Sequence, residues 1–173
     1  RRIQAGILSW GQDMDHQHNP FQCNLGYQVS LSGKGEWNKQ TDYIGKEALE
    51  KMKEQIKNGK KPYKLQLVGL ELAGGKPIED YANDFWLISN VSGGKPVGYI
   101  TSPWYHPEKK KNIAMGYVPF EGNLNNNGFP VGNFGKKYKV HLPKKYSNKP
   151  VEATIVPIPF TESFHANTRE VKK

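Results

Sequence analysis

Apolar positions along the chain change their period near residue 60. Ahead of that point Leu49, Met52 and Ile56 recur every three or four residues, with Ile44 just before them, while lysines and glutamates fill the other faces. The spacing predicts a surface helix over 45–58, with Asp42 ahead of it and Gly59 and Pro62 at its end. Its lysines crowd the C-terminal half, where positive charge complements the helix dipole. From Lys64 onward the apolar runs are short and divided by glycine, proline and asparagine, predicting strands over 64–72, 85–92, 95–101, 113–118, 137–142 and 151–155. Many short strands with turn signals and little helical period predict a small barrel or sandwich.

Nearer the start, Ile3, Ile7 and Leu8 fall at near-helical spacing, so residues up to about Ser9 read as the end of a helix closed by Gly11. A polar loop follows from Gln12 to Pro20. Leu25, Tyr27, Val29 and Leu31 alternate with Gly26, Gln28 and Ser30, which predicts a half-buried strand over 25–31, and 33–40 is a turn-rich excursion. The expected fold class is therefore α+β. Residues 1–61 read as the remnant of an α+β domain and residues 62–173 as a small all-β Greek-key or jelly-roll barrel. Because the chain opens on Arg1-Arg2, without methionine and on what reads as the middle of a helix, it is expected to be a fragment.

Charge and cysteine content narrow the class. A single cysteine, Cys23, rules out an internal disulfide and suits a reducing compartment, so a cytoplasmic location is expected. No run approaches the roughly 20 apolar residues of a spanning helix, and no membrane association is expected. The net charge of +9 comes mostly from lysines at 57–64, 109–111, 136–139 and 144–145. It favours an anionic partner, whether nucleic acid, an acidic membrane surface or a small polyanion such as a polyglutamylated cofactor. Solvated turns and helix faces account for the same charge.

Few residues suggest chemistry by themselves. His16-Gln17-His18 beside Asp13 and Asp15 could ligate a divalent cation, but neighbouring histidines in a polar loop lack fixed further ligands, and no metal is expected. Cys23 has no recognisable activating neighbour and reads as a packed thiol. P-loop, dinucleotide, nucleophile-elbow and zincin patterns are absent from the sequence. Trp104-Tyr105 ahead of Lys109 to Lys111 could make a stacking surface for nucleic acid. The same aromatics could line a pocket for a planar cofactor, and nucleic acid is the lesser expectation.

An ordered series of short motifs carries a resemblance. Arg2-Ile3-Gln4-Ala5-Gly6, Ser9-Trp10-Gly11-Gln12-Asp13, Asn19-Pro20-Phe21 and Leu25-Gly26-Tyr27 resemble the R-L-E-A-G, L-Y-G, P and G-L-G-W series of glycine cleavage T-proteins and their relatives. Asp42 to Leu49 is similar to their D-F-I-G-(K/R)-E-A-L helix start, and Leu65 to Leu70 resembles the K-L-V-G-L strand that opens their C-terminal barrel. Gly98-Tyr99-Ile100-Thr101-Ser102 resembles their G-x-(I/V)-T-S strand, and Asn112 to Val118 their final core strands. The matches keep the family order over most of the chain; residues after Phe160 have no counterpart.

This resemblance, to the aminomethyltransferase (glycine cleavage T-protein) superfamily, implies a three-domain, ring-like enzyme with tetrahydrofolate in its central hole. The chain would supply part of the second domain and all of the third. The implied activity is transfer of a one-carbon unit to tetrahydrofolate from a small donor or a lipoyl carrier protein. An aspartate near the reactive folate nitrogens lies in the family's first domain, so the resemblance assigns no catalytic residue here, and this portion alone is expected to be inactive without the preceding domain. Arg2 is implied to lie against the folate, where its fork of N–H groups suits carboxylate or pterin acceptors. Trp10 stands where tyrosine is common and is implied to stack there, and Gln4 replaces the usual glutamate. Thr101, Ser102, Trp104 and Tyr105 are implied to form a substrate or cofactor rim on the loop after a strand facing the cavity. The run Asn19-Pro20-Phe21-Gln22-Cys23 is similar to an N-P-F-E-C stretch of dimethylsulfoniopropionate demethylases. Dimethylglycine and sarcosine dehydrogenases carry related C-terminal halves, and the branch stays open. Two readings of other kinds stand beside these: a non-catalytic basic barrel that binds RNA or an acidic partner, and a folate-binding regulator without turnover.

Overall fold

The computed structural model describes residues 1–29, 31 and 42–160, so the expected excursion over 33–40 and the tail after Phe160 lie outside the described residues. Six strands follow one helix: α1 (Lys46–Lys57), β1 (Leu65–Ala73), β2 (Trp86–Asn90), β3 (Gly98–His106), β4 (Lys111–Pro119), β5 (Lys137–Val140) and β6 (Val151–Val156). All neighbours are antiparallel, and the sheet closes in the order β1-β4-β3-β2-β5-β6. The three strands β2, β3 and β4 form a meander and β1 returns beside β4, which is a Greek-key path.

Alternation along the strands produces two apolar layers. Val68, Leu70 and Leu72 of β1 join Trp86, Ile88, Ile100, Ala114, Val118, Tyr138, Val140, Ala153 and Ile155 in one cluster that fills the barrel. The interior is thus a packed core, as in other small barrels, and any ligand has to sit on an outer wall. On that wall the residues of opposite parity, Leu67, Ile113, Met115 and Tyr117, pack against Ile3, Leu8, Ile158 and Phe160. Each large side chain so buried contributes about 1.5–3 kcal/mol, which fastens the N-terminal segment to the barrel. A third cluster joins Ile56 of α1 to Phe21, Leu31 and Phe120, with Leu49 and Met52 half-buried beside them.

Strand β3 runs five residues beyond the sequence-based estimate. Pro103 appears to the eye of a pattern as a stop, but β2 pairs with β3 only from Gly98 to Ile100, so Pro103 lies where that edge of β3 needs no donor. Three further expectations are corrected. The helical turn at the start closes earlier than expected: the Ala5 N–H donates to the Arg1 carbonyl (3.0 Å), and Gly6 at φ +68°, not Gly11, ends it. Residues 25–29 do not form the expected strand; Gly26–Gln28 is a 3-10 turn, with the Val29 N–H on the Gly26 carbonyl. Alternation there lacks a sheet edge to join, because every barrel strand already has two neighbours. Helix α1 starts after Gly45 in a left-handed conformation (φ 91°), so Asp42 does not cap it, and Ile44 projects into solvent.

Candidate functional site

The candidate site begins with an irregularity in β3. Ile100 faces Gly116 and Ser102 faces Met115, so Thr101 is an extra residue in the ladder, a β-bulge. Consecutive strand residues ordinarily point to opposite faces, and a bulge re-aims them. Here both hydroxyls reach the same atom. Thr101 Oγ1 and Ser102 Oγ each donate to Asp13 Oδ1 at 2.6 Å.

Asp13 sits in a tight turn in which its own N–H donates to the Ser9 carbonyl at 2.8 Å. Its other carboxylate oxygen accepts from the Ser9 N–H (2.9 Å) and from Arg2 Nη1 (2.6 Å). A carboxylate that is only 1% exposed survives in this position because four N–H and O–H donors, one of them the Arg2 cation, replace its water. The Asp13 backbone carbonyl accepts from Tyr117 Oη at 2.7 Å. Arg2 is tied at three points: Nη1 also donates to the Ile7 carbonyl (2.9 Å), and Nη2 donates to Ser102 Oγ (2.8 Å). Among the described residues its Nε–H and second Nη2–H have no partner, and the side chain is 28% exposed.

Around this clamp lies an aromatic and titratable shelf. Tyr117 packs between Tyr99 (ring centroids 5.3 Å apart) and His18 (4.9 Å), and Phe85 stacks on Tyr99 at 5.1 Å. Burial pushes the Tyr99 and Tyr117 hydroxyls above the usual tyrosine range, so both remain protonated donors. Asp15 accepts from the Gln17 N–H and pairs with His18 Nδ1 at 2.8 Å, and those two contacts hold its carboxyl below the usual range. Burial raises the Cys23 thiol, against a contact with Tyr117 Oη at 3.4 Å, which keeps it protonated and unreactive.

Of the residues singled out from the sequence, Arg2, Thr101 and Ser102 come together. They lie on strand β3 and the N-terminal turn, not on a loop after a strand. Trp104 is on the same outer face two residues along, tilted against Tyr81 at 5.4 Å, whereas Tyr105 projects to the other face of β3. Trp10 is 68% exposed with no ring contact among the described residues. Asp13, the hub, stands in the sequence at the end of the Ser9 to Asp13 motif and near His16 and His18, with nothing there to mark it as the partner of Arg2. The structure separates those residues: Asp13 faces Arg2 and Asp15 faces His18, and no group of three or more His, Cys, Asp or Glu side chains able to hold a metal occurs among the described residues. The Asn19 to Cys23 run is packing, since Asn19 Oδ1 accepts from the Gln22 N–H while Phe21 and Cys23 are buried.

A closed Greek-key barrel with an arginine-carboxylate clamp on its outer wall defines the class, a barrel module that carries a site outside its core. Residues 66–161 match the glycine cleavage T-protein C-terminal barrel domain, and the chain belongs to that family, in the aminomethyltransferase superfamily. An aminomethyltransferase of Synechocystis is 35% identical over 144 residues, covering 83% of this chain and 34% of that protein. One of Thermotoga neapolitana is 35% identical over 147 residues, with the same coverage of 83% and 34%. A dimethylsulfoniopropionate demethylase of Ruegeria pomeroyi is 35% identical over 117 residues, 68% of this chain and 27% of that protein. The crystal structure of glycine cleavage system aminomethyltransferase T from Bartonella henselae superposes on 93% of this chain and 37% of its own, with a TM-score of 0.62 at 22% identity, and shares the fold. The chain thus spans about a third of the length of the aminomethyltransferases it matches.

The side chains present fit a folate. A folate offers carboxylates and a planar ring with carbonyl and ring-nitrogen acceptors, and the wall offers two unpartnered N–H groups on Arg2 and accessible aromatic rings at Phe85 and Trp10.

Proposed function

We propose that this chain is the barrel-bearing portion of a tetrahydrofolate-dependent one-carbon transferase, with residues 1–61 belonging to its folate-binding domain and residues 62–173 forming its C-terminal barrel domain. Tetrahydrofolate would supply the nitrogen that accepts the one-carbon unit. The residues of this chain bind and orient. Arg2 presents two N–H groups to an acceptor on the folate, Asp13 and Ser102 fix the direction of those groups, and Trp10, Tyr99, Phe85 and Trp104 offer ring surface that excludes water. Thr101 acts through Asp13, and Tyr105 lies on the same strand but faces away from the clamp. Such a wall accelerates transfer by holding donor carbon and acceptor nitrogen at near-attack distance, which is a matter of position more than of acid or base. The donor is a small amine, sulfonium or lipoyl-linked group, delivered by a small molecule or a lipoyl carrier protein, and a single buried cysteine suits a cytoplasmic setting.

The observation that carries this reading is the Arg2 guanidinium, fixed at three points yet partly open to solvent, in a chain of the aminomethyltransferase superfamily. Isothermal titration of the full-length protein with tetrahydrofolate tests it. Binding is expected, weakened about tenfold in Arg2→Ala, the worth of one charge-assisted contact of about 1.4 kcal/mol. No binding by the unaltered protein, with saturating donor present, overturns the reading.

A further inference from the structure

We propose that Asp13 is the positioning residue of this site: with Thr101 and Ser102, it locks the Arg2 guanidinium so that its unpartnered N–H groups meet a carboxylate or carbonyl oxygen of the bound folate. This deepens the one-carbon transferase reading and rests on it. Three observations support it. Among the described residues Asp13 is the one carboxylate that contacts Arg2, at 2.6 Å, and its side chain is fully enclosed. The bulge at Thr101 brings two adjacent hydroxyls onto a single oxygen of Asp13, so the carboxylate cannot rotate without losing both. Ser102 Oγ then accepts from Arg2 Nη2 while donating to Asp13, closing a ring of three side chains from segments 11 and 89 residues apart in sequence.

An arginine on a turn has many rotamers, and each must be surrendered when it grips a ligand. The Asp13-Ser102 ring surrenders them in advance, and the Ile7 carbonyl holds the remaining Nη1 hydrogen. The three anchors take both Nη1 hydrogens and one on Nη2, which among the described residues leaves the Nε–H and the second Nη2–H for a planar acceptor. Asp13 touches neither donor nor folate in this arrangement; it acts through Arg2.

Replacing Asp13 in the full-length protein tests this. Asp13→Asn keeps the size and loses the charge, and its KM for tetrahydrofolate is expected to rise about tenfold with kcat at saturation nearly unchanged, the pattern of lost uniform binding. In an Arg2→Ala background the same change is expected to move KM less than about twofold, because residues that act as one unit are not additive. Asp13→Glu, which restores the carboxylate, is expected to recover part of the affinity. Equal KM for folded Asp13→Asn and the unaltered protein overturns the positioning role, as do additive effects in the double variant, while the folate reading survives either result. Failure of the unaltered protein to bind tetrahydrofolate sinks the reading beneath it instead. Should Asp13→Asn not fold, Ser102→Ala decides: a rise in KM of about threefold that vanishes with Arg2→Ala supports the ring, and an unchanged KM overturns it.

Discussion

At the scale of residues, the clamp is held by side chains far apart in the chain, since Asp13 binds the hydroxyls of Thr101 and Ser102 and the guanidinium of Arg2. Arg2, Thr101, Ser102 and Asp13 all lie in motifs the sequence offers, but the role of Asp13 does not show there, because its hydroxyl partners are 88 and 89 residues away. Nor does any pattern of letters announce that Thr101 is an extra residue in its ladder, which alone lets both hydroxyls face one oxygen. Tyr117 shows the same long-range logic. Its Oη donates to the Asp13 carbonyl at 2.7 Å across 104 residues of chain. Tyr117→Phe keeps the ring between His18 and Tyr99 but leaves that buried carbonyl without its donor, at a cost of about 1–3 kcal/mol. The expected result is a lower urea midpoint with an unchanged slope. An unchanged midpoint would show that the hydroxyl bears none of the stability of this turn.

At the scale of elements, strands of the barrel were legible because each has an inside and an outside, and helix α1 because one stripe of it is buried against Phe21 and Phe120. The segment over 25–31 misled for a physical reason: alternation reports two environments, not a pairing partner, and in a closed sheet no edge was left. Its glycine is instead a contact point, where a Cβ on Gly26 would fall 2.7 Å from Phe129 and 2.8 Å from Phe21. Within the barrel, glycines set how closely strands curve past one another. A Cβ on Gly98 of β3 would run into the carbonyl of Tyr117 on β4, and one on Gly116 of β4 would lie 2.6 Å from the carbonyl of Tyr99. The obstacle in both cases is backbone, which cannot rotate away. Gly98→Ala is therefore expected to cost about 3 kcal/mol, the upper end of overpacking, seen as a lowered thermal midpoint. A midpoint equal to that of the unaltered protein would mean that β3 and β4 can part there without loss.

At the scale of the whole molecule, the charge of +9 is less free than the lysine count suggests. Lys109 and Lys111 pair with Glu71, Lys136 with Glu121, Lys137 with Glu152 and Lys145 with Asp80, so these five lysines from three of the basic clusters stand beside carboxylates. Pairing of this kind lessens the charge those lysines could offer an RNA backbone. It also ties stability to acid. Burial pushes the Glu71 carboxyl up, but the hydrogen bonds from Lys109 and Lys111 outweigh it and hold Glu71 below its ordinary value of 4.5. Lys136 holds Glu121 low, and Lys145 with Tyr146 holds Asp80 low. A carboxyl depressed in the folded state binds protons less readily there than in the unfolded chain. Its contribution is complete above the unfolded value and is lost as pH falls through the folded one. Stability should therefore decline as pH drops from about 5 to about 3, steepened by the growing self-repulsion of an already positive chain. Glu71→Gln removes one of these linked groups, so its unfolding midpoint should be lower than that of the unaltered protein at neutral pH but should fall less steeply with acid. Urea titrations across that range measure both slopes, and parallel slopes would mean that the Glu71 pairs carry no part of the acid response.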